Sequence, residues 1–264
     1  MNATARSLHR IGNRPTSRSW AALGLIVLLA GWQLAALQLG PLLMATPLET
    51  LQSLLQLAGS ADFRHHAGVT ALRIVLGAGG GCALGFVLGL AAGTSARLRG
   101  LLEPLRWLLM AVPPVIVVVL AMLWFGLGTQ MVVFMAVLML TPGMYVNTVK
   151  GMQAVDQRLA EMTHVYRFSA WQRLRYLYVP TLAAPLTAAL LIAVCGSVRL
   201  VVMAEVLGAQ NGAGYALANA RSTFDNGELY AWTALILLLV AVLELGLLQP
   251  LQRNLSRWQE QAGA

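Results

Sequence analysis

The stretch that decides the fold is Ile74–Gly93, IVLGAGGGCALGFVLGLAAG, which has no charged side chain. About twenty apolar residues are what a helix needs to cross a bilayer. Four residues make slightly more than one helical turn, so glycines at this spacing form one smooth stripe: Gly77, Gly81, Gly85, Gly89 and Gly93. Small residues let another backbone approach closely, which predicts tight packing in a bundle or at a dimer seam. The alternative is the general enrichment of glycine in membrane helices.

The composition extends this interpretation to the whole chain. Of 264 residues, 58% are hydrophobic and 11% are charged, whereas about a quarter of a soluble domain is charged. This excludes a disordered chain, a disulfide scaffold and most water-soluble enzymes. We therefore predict an all-α, polytopic membrane protein with one helical domain.

Five further apolar segments bring the predicted number of transmembrane helices to about six: Trp20–Leu39, Trp107–Phe125, Met131–Val149, Leu182–Val198 and Leu229–Leu248. No convincing cleavage site follows the first segment, so it is predicted to be a retained helix rather than a signal peptide. The prediction is a tail at 1–19, a membrane domain at 20–251 with a long loop at 150–181, and a tail at 252–264. Two spans are predicted to be kinked by proline. One kink is at Pro113-Pro114 and the other is at Pro142-Gly143.

The positive charges predict the orientation of the helices. Fourteen of the eighteen Lys and Arg residues lie in the two tails and in the loops 94–106 and 150–181. Cytoplasmic loops of membrane proteins carry such an excess, so both termini are predicted to be cytoplasmic. The same bias accounts for the net charge of +8 without a nucleic-acid partner.

Four charged residues lie near membrane depth, where charges usually face a partner or water. Arg73 and Glu244 are predicted to reach the membrane interface, while Arg199 and Glu205 could pair if the chain between them is not fully helical. Glu205 precedes the glycine-rich segment 208–215, for which a re-entrant turn or a gate is predicted. The candidate residues of a pathway or gate are Arg199, Glu205, Gly212 and Gly214.

Several kinds of chemistry have no signature in the sequence. There is no glycine-rich loop ending in Lys-Ser or Lys-Thr for ATP, and no cluster with metal-ligand spacing. No nucleophile and base stand in a suggestive arrangement. We expect no metal, no cofactor and no catalysis in this chain. His65 and His66 are predicted to be solvated in an external loop.

The loop 150–181 has the pattern of two short amphipathic helices with a turn between them. Leu159, Met162, Val165 and Tyr166 share one face, and apolar residues continue after Phe168-Ser169 with Trp171, Leu174, Leu177 and Tyr178. Such helices could dock into a groove on a soluble partner. They could equally rest on the membrane interface.

This loop resembles the coupling motif of bacterial ABC-importer permeases. That motif has Glu-Ala-Ala, a glycine four positions after the second alanine, and a proline thirteen positions further on. The same offsets here hold Glu161-Met162-Thr163, Arg167 and Pro180. The two alanines and the glycine are therefore replaced. An arginine at a turn with positive φ costs about 1 kcal/mol or more, so the turn or its partner groove is predicted to differ from the family norm.

Other segments are similar to the branch of this family that serves nitrate, taurine and aliphatic sulfonates. The resemblance covers residues 20–258 and is carried by Thr70–Val75 with the glycine stripe, Pro104, Val112–Pro114, Leu123–Gly128, Ala204–Ala209 and Gly212–Tyr215. Arg199 departs from it, since the family usually has an apolar or aromatic residue there.

The resemblance implies a type I importer fold and a permease subunit in the bacterial cytoplasmic membrane. It implies a second copy in a homodimer, two cytoplasmic ATPase subunits and an external solute-binding protein. It also implies that the segment 157–170 is a coupling helix moved by the ATPases, which gives these coupling residues: Glu161, Met162, Thr163, Tyr166, Arg167, Ser169 and Trp171.

The competing hypothesis is an ion- or proton-coupled secondary transporter. Such a protein would need inverted repeats and acids at the membrane midplane, and Glu244 alone is weak support. The sequence does not identify the substrate. The charge of Arg199 would favour an anion such as a sulfonate or nitrate.

Overall fold

The computed structural model describes residues 16–40, 43–155, 161–163 and 165–248, and every regular element within them is helical. The helices are α1 (Thr16–Leu39), α2 (Pro47–Ala58), α3 (Ala61–Thr94), α4 (Ala96–Ala111), α5 (Pro114–Phe125), α6 (Thr129–Gln153), α7 (Val179–Gly208), α8 (Ala213–Ser222) and α9 (Asn226–Leu243). A helical turn, Ala170–Arg173, and a π-helical turn, Leu174–Tyr178, lead into α7. A second π-helical turn, Glu244–Leu248, follows α9.

The predicted all-α membrane architecture is confirmed. Five helices are long and apolar enough to cross a bilayer, and α4 with α5 makes a sixth if the pair is counted as one span. The predicted tail at 252–264 lies outside the described residues. So does most of the tail at 1–19, although α1 already begins at Thr16.

The third predicted span, Trp107–Phe125, is wrong as a single helix. Its first residues belong to α4 and its last to α5, and the two helices are bent by 101°. Pro113 has no backbone N–H and stands between the helices, while Pro114 occupies the first turn of α5, where a proline is tolerated. The proline pair therefore ends one helix and starts the next.

Three other helices, α3, α6 and α7, are longer or more continuous than the sequence predicted. Pro142 does not interrupt α6, which is helical from Thr129 to Gln153. α7 continues ten residues past the predicted end of the fifth span and includes Glu205. α3 begins at Ala61 rather than in the predicted apolar core. Polar residues at these helix ends are thereby held in regular structure rather than in loops.

The glycine stripe packs α3 directly against α6. A Cβ added at Gly77 would lie 2.6 Å from the Cβ of Ala136, and one added at Gly85 would lie 2.5 Å from the carbonyl oxygen of Thr141. The same crowding occurs at the other three stripe positions. Because no side chain larger than hydrogen fits, the backbones approach each other as the sequence predicted.

The core lies where α3, α5, α6 and α7 meet. Its fully buried side chains include Val118 from α5, Met135 from α6 and Val201 from α7, with Ile74 from α3 against them. By contrast, many large apolar side chains of α1 and α9 are exposed on the isolated chain. The four core helices therefore form the rigid frame that positions the polar residues described below.

Replacing Gly85 by alanine should force α3 away from α6, because the new methyl group would overlap a backbone oxygen. We expect the free energy of unfolding in detergent to fall by about 1–3 kcal/mol. Gly79 is on the same helix and has nothing within 4 Å of an added Cβ. Gly79→Ala should leave stability unchanged or raise it by up to about 1 kcal/mol. Equal stability of the two variants would contradict the close approach.

Candidate functional site

The most buried charges among the described residues form an ion pair at one end of the bundle. Arg73 of α3 and Glu205 of α7 have side chains that are 0% exposed, and their Nη1 and Oε1 atoms are 2.7 Å apart. Two charges are stable away from water only when paired and fully hydrogen bonded. The partners of both groups therefore decide whether the pair is stable.

All five N–H donors of Arg73 have acceptors. Nε and Nη2 donate to the hydroxyl of Thr129 at 3.2 and 2.9 Å. Nη1 donates to the carbonyl oxygen of Asn211 at 2.7 Å as well as to Glu205, and Nη2 donates to the amide oxygen of Asn211. The guanidinium thus joins α3 to the first residue of α6 and to the connection between α7 and α8.

The carboxylate of Glu205 accepts hydrogen bonds from three residues on two helices, α3 and α8. Besides Arg73, the hydroxyl of Thr70 lies 2.9 Å from both carboxylate oxygens, and the backbone N–H of Gly214 donates to Oε2 at 2.9 Å. The N–H of Ala213 donates to the Thr70 hydroxyl at 2.7 Å. A negative charge is thus placed at the first turn of α8, where it is stabilised by the unpaired N–H groups and the helix dipole.

Gly212 and Gly214 allow the chain to fold over this carboxylate. Gly212 has φ +107°, and an added Cβ would collide with the carboxyl group of Glu205. A Cβ on Gly214 would lie 2.5 Å from the carbonyl oxygen of Val202. The two glycines and Glu205, which were predicted together from sequence, do form one cluster. Their role as a gate stays a prediction.

His66 also belongs to this cluster, which corrects the prediction that it is solvated. Its Nδ1 atom accepts a hydrogen bond from the N–H of Gly212 at 3.0 Å. It lies on α3 because that helix begins upstream of its apolar core. The ring therefore supports the same glycine that covers the Glu205 carboxylate.

Arg199 is separate from this cluster, and the condition under which it could pair with Glu205, a non-helical chain between them, is not met. The chain between these two residues is helical, and Glu205 pairs with Arg73 instead. Arg199 lies 3.9 Å from Glu244, and the two side chains are 70% and 53% exposed. The expectation that Arg73 reaches the membrane interface is wrong. A pathway role for Arg199 stays a prediction.

Sequence reasoning missed Thr70, Thr129 and Asn211 as partners of the ion pair. The sequence did contain a signal for Thr70, because Thr70 and Arg73 are three residues apart and therefore share a helix face. An arginine near membrane depth also needs an acid, and Glu205 was at comparable depth. Thr129 and Asn211 gave no such signal, because their positions depend on how α6 and the α7–α8 connection pack.

At the other end of α7, the described part of the predicted coupling loop has two short helical pieces and a tight turn. Glu161, Met162 and Thr163 are helical, whereas residues 156–160 and 164 lie outside the described residues. The N–H of Phe168 donates to the carbonyl oxygen of Thr163 at 2.9 Å, and Arg167 has φ +51°. Arginine therefore adopts a positive φ at the position where the resembling motif has glycine.

The second helical piece has its own cap. The Ser169 hydroxyl accepts from the N–H of Gln172 at 3.2 Å, and the Gln172 side chain accepts from the N–H of Ser169 at 2.8 Å. This reciprocal capping box fixes where the piece begins. It leads through the π-helical turn into α7, so the loop is attached to α7 without a flexible linker.

Several large apolar side chains of this loop are exposed beside its charged and polar ones. Met162, Tyr166 and Trp171 are 52%, 68% and 66% exposed. An open hollow of about 420 Å³ lies beside the turn, lined by Met162, Thr163, Tyr166, Phe168, Tyr176 and Leu177. Aromatic and methionine side chains around a hollow are typical of surfaces that bind a protein.

The sequence comparisons agree with this architecture. Residues 83–258 match the family described as "Binding-protein-dependent transport system inner membrane component". The chain is 28% identical over 239 residues to the taurine transport system permease protein TauC of Escherichia coli (strain K12), covering 88% of this chain and 86% of that protein. It is 27% identical over 216 residues to the putative aliphatic sulfonates transport permease protein SsuC of Bacillus subtilis (strain 168), covering 82% and 78%.

The fold is similar to a solved transporter subunit. A chain from inward-facing conformations of the MetNI methionine ABC transporter superposes with a TM-score of 0.59, at 14% sequence identity. The match covers 80% of this chain and 99% of that chain. At this identity the comparison concerns the fold, and it agrees with the type I importer fold predicted from the sequence.

Replacing Glu205 by glutamine should leave the Arg73 guanidinium buried without its counter-charge. We expect the free energy of unfolding in detergent to fall by about 3–5 kcal/mol. Glu244→Gln changes an exposed pair in the same chain and should cost less than about 1 kcal/mol. Denaturant titrations of both variants test this. Similar losses in the two variants would mean that the buried pair does not stabilise the frame.

Proposed function

The chain belongs to the family of binding-protein-dependent transport system inner membrane components, and we propose that it works as a homodimer with two cytoplasmic ATPase subunits. Membership makes it the translocation subunit of a binding-protein-dependent ABC importer. Such permeases are not themselves catalytic. We assign ATP hydrolysis to the partner subunits and the delivery of solute to an external binding protein.

The main support for an ATPase contact surface is the loop before α7, with its exposed apolar side chains. An ATPase that moves a permease needs a rigid element to push. The loop supplies one, because a capping box and a closed turn hold its two helical pieces. The proposed ATPase contacts are Glu161, Met162, Tyr166, Arg167, Ser169 and Trp171. Thr163, which was predicted with them, is 7% exposed and is proposed to support the turn instead.

The orientation proposed from the charges is consistent with these roles. Both termini and the 150–181 loop would face the cytoplasm, where ATPases are available. α2, α8 and the first turns of α3 and α9 would then face the outside. α7 has 30 residues, about 45 Å at 1.5 Å per residue. It would link the ATPase surface to the external end of the bundle.

The buried acid argues against the secondary-transporter alternative. A carboxylate that carries a coupling proton or ion must be able to release it. Glu205 is instead paired with Arg73 and accepts hydrogen bonds from Thr70 and Gly214. These contacts suit a fixed structural group. We infer that any gating by Glu205, Gly212 and Gly214 is movement of this cluster as a unit.

Replacing Tyr166 by alanine should weaken ATPase binding, because it removes an exposed ring from the proposed contact surface. We expect at least about a tenfold loss of ATPase recovered with tagged permease in mild detergent, as for an aromatic hot spot. Leu43→Ala is the control, since Leu43 is 67% exposed and precedes α2, which lies at the opposite end. Undiminished recovery with Tyr166→Ala, or equal losses in both variants, would contradict the assignment.

The transported solute is proposed to be a small organic anion of the sulfonate class. The similarity to taurine and aliphatic sulfonate permeases supports this, as does the charge of Arg199.

Arg199→Leu should lower taurine uptake by cells carrying the whole importer several-fold, by removing a positive charge. Glu244→Gln keeps that charge and should not lower uptake. Uptake that is the same in Arg199→Leu cells as in the wild type would remove Arg199 from the pathway.

A further inference from the structure

Two non-glycine residues among the described ranges have a φ in the left-handed region, Arg167 at +51° and Phe224 at +59°. Arg167 lies in the loop proposed to bind the ATPase. Phe224 lies at the opposite end of the bundle, in the connection from α8 to α9. Left-handed backbone costs a non-glycine residue about 1–2 kcal/mol. Such outliers cluster at functional sites, which makes Phe224 a candidate functional residue.

The turn that holds Phe224 is a complete Schellman motif. The N–H of Asp225 donates to the carbonyl oxygen of Ala220 at 3.0 Å, and the N–H of Phe224 donates to that of Arg221 at 3.4 Å. These two bonds close the C-terminus of α8 and put Phe224 at the position that is usually glycine. The side chain of Asp225 then caps α9 by accepting from the N–H of Glu228 at 2.9 Å. The turn is therefore fixed on both sides.

The need for a positive φ does not explain the phenylalanine. Glycine occupies the positive-φ positions 40, 126, 128 and 212 of this chain. Phe224 contributes little to packing, because its side chain is 85% exposed. A large aromatic ring is thus displayed to the outside, in a strained and rigid turn. An exposed, pre-positioned aromatic ring is typical of a residue that anchors a protein partner.

Beside Phe224 there is an open hollow of about 520 Å³, lined by Ala45, Glu49, Ser53, Thr223, Phe224, Asp225, Asn226 and Gly227. It lies between the start of α2 and the turn before α9. A Cβ on Gly227 would lie 2.8 Å from the hydroxyl oxygen of Ser53, so α2 and α9 are in close contact here. Among the described lining residues, Glu49 and Asp225 are acidic and none is basic.

We propose that Phe224 and this hollow form the docking surface for the external solute-binding protein of the importer. Phe224 would enter an apolar pocket on that protein, and Glu49 and Asp225 would face basic side chains around the pocket. An apolar anchor with a polar rim is the usual arrangement in a transient protein interface. This inference rests on the proposed function, in particular on the orientation that places α8 outside.

Two other occupants fit the surface less well. A second copy of this chain packed with the same surface against this one would bring its own two carboxylates to it, and like charges would repel. Lipid would have to cover the charged Glu49 and Asp225 together with the polar side chains of Ser53, Thr223 and Asn226. Both occupants are outcomes of the following test.

The test places a photo-cross-linking aromatic, p-benzoylphenylalanine, at position 224 of the permease in cells that carry the whole importer. The solute-binding protein is expected in the cross-linked product. The same residue at position 166 is the matched control and should capture the ATPase. If position 166 captures the ATPase while position 224 captures another permease copy or only lipid, the docking surface is wrong. If position 166 also fails to capture the ATPase, the proposed function fails with it.

A second measurement uses the captured binding protein, purified, with the importer in lipid nanodiscs. Phe224→Gly keeps the left-handed turn and removes the ring. It should raise the binding-protein concentration for half-maximal stimulation of ATP hydrolysis by at least about tenfold, without lowering the unfolding temperature. Phe224→Tyr keeps the ring and should stay within about twofold of the wild type. An unchanged half-maximal concentration in Phe224→Gly would overturn the proposal.

Glu49→Gln tests the charge of the rim separately. Glutamine can still form the capping box in which Glu49 accepts from the N–H of Thr46, so α2 should remain folded. Loss of one carboxylate should weaken the dependence of docking on salt concentration, because that dependence reports electrostatic complementarity. An unchanged salt dependence would contradict a basic partner surface.

Discussion

The ion pair between Arg73 and Glu205 is the constraint on which the rest of this end of the bundle depends. Breaking it by removing one partner would leave a buried charge uncompensated. The chain satisfies the pair with groups from α3, α6, α7 and the first turn of α8. Four elements are therefore fixed by one set of hydrogen bonds. The glycine segment 208–215, which could have been a flexible connection, becomes part of a rigid cluster.

The glycine stripe performs the corresponding task along the length of the bundle. It lets α3 and α6 approach until only hydrogen fits between them at Gly77 and Gly85. Dispersion contacts and close backbone packing hold membrane helices together where lipid removes the hydrophobic drive. A frame joined in this way resists bending, so motions imposed at one end are expected to move whole helices. This is the mechanical property that an ATP-driven transporter requires.

Periodicity and composition predicted the parts of this structure that repeat locally. The stripe from Gly77 to Gly93 follows a four-residue spacing, and its packing was predicted correctly from that spacing. The Arg73–Glu205 pair was missed because its members are 132 residues apart and no local pattern links them. The proline pair predicted a kink at Pro113, but the spacing of residues did not predict that two separate helices would be bent there by 101°.

The turn at Arg167 shows a different relation between sequence and structure. Comparison with the family pattern indicated that a glycine had been replaced, and it raised the question of whether φ was still positive. The structure gives φ +51° there. The turn therefore has the left-handed backbone that glycine adopts most readily, although an arginine occupies it. Arginine adopts this backbone at a free-energy cost of about 1–2 kcal/mol, which the residue pattern alone did not settle.

The two proposed partner surfaces are connected through α7 in the described structure. The loop with Arg167 leads through the π-helical turn Leu174–Tyr178 into α7. Glu205 near the far end of α7 accepts a hydrogen bond from Gly214 in α8, and α8 ends in the turn that displays Phe224. One covalent helix and one hydrogen-bonded cluster therefore join the surfaces. A coupling route needs such contiguous packed elements, and a shift of α7 caused by the ATPases would move α8 with it. The same cluster that stabilises the frame would then report the state of the ATPases to the binding protein.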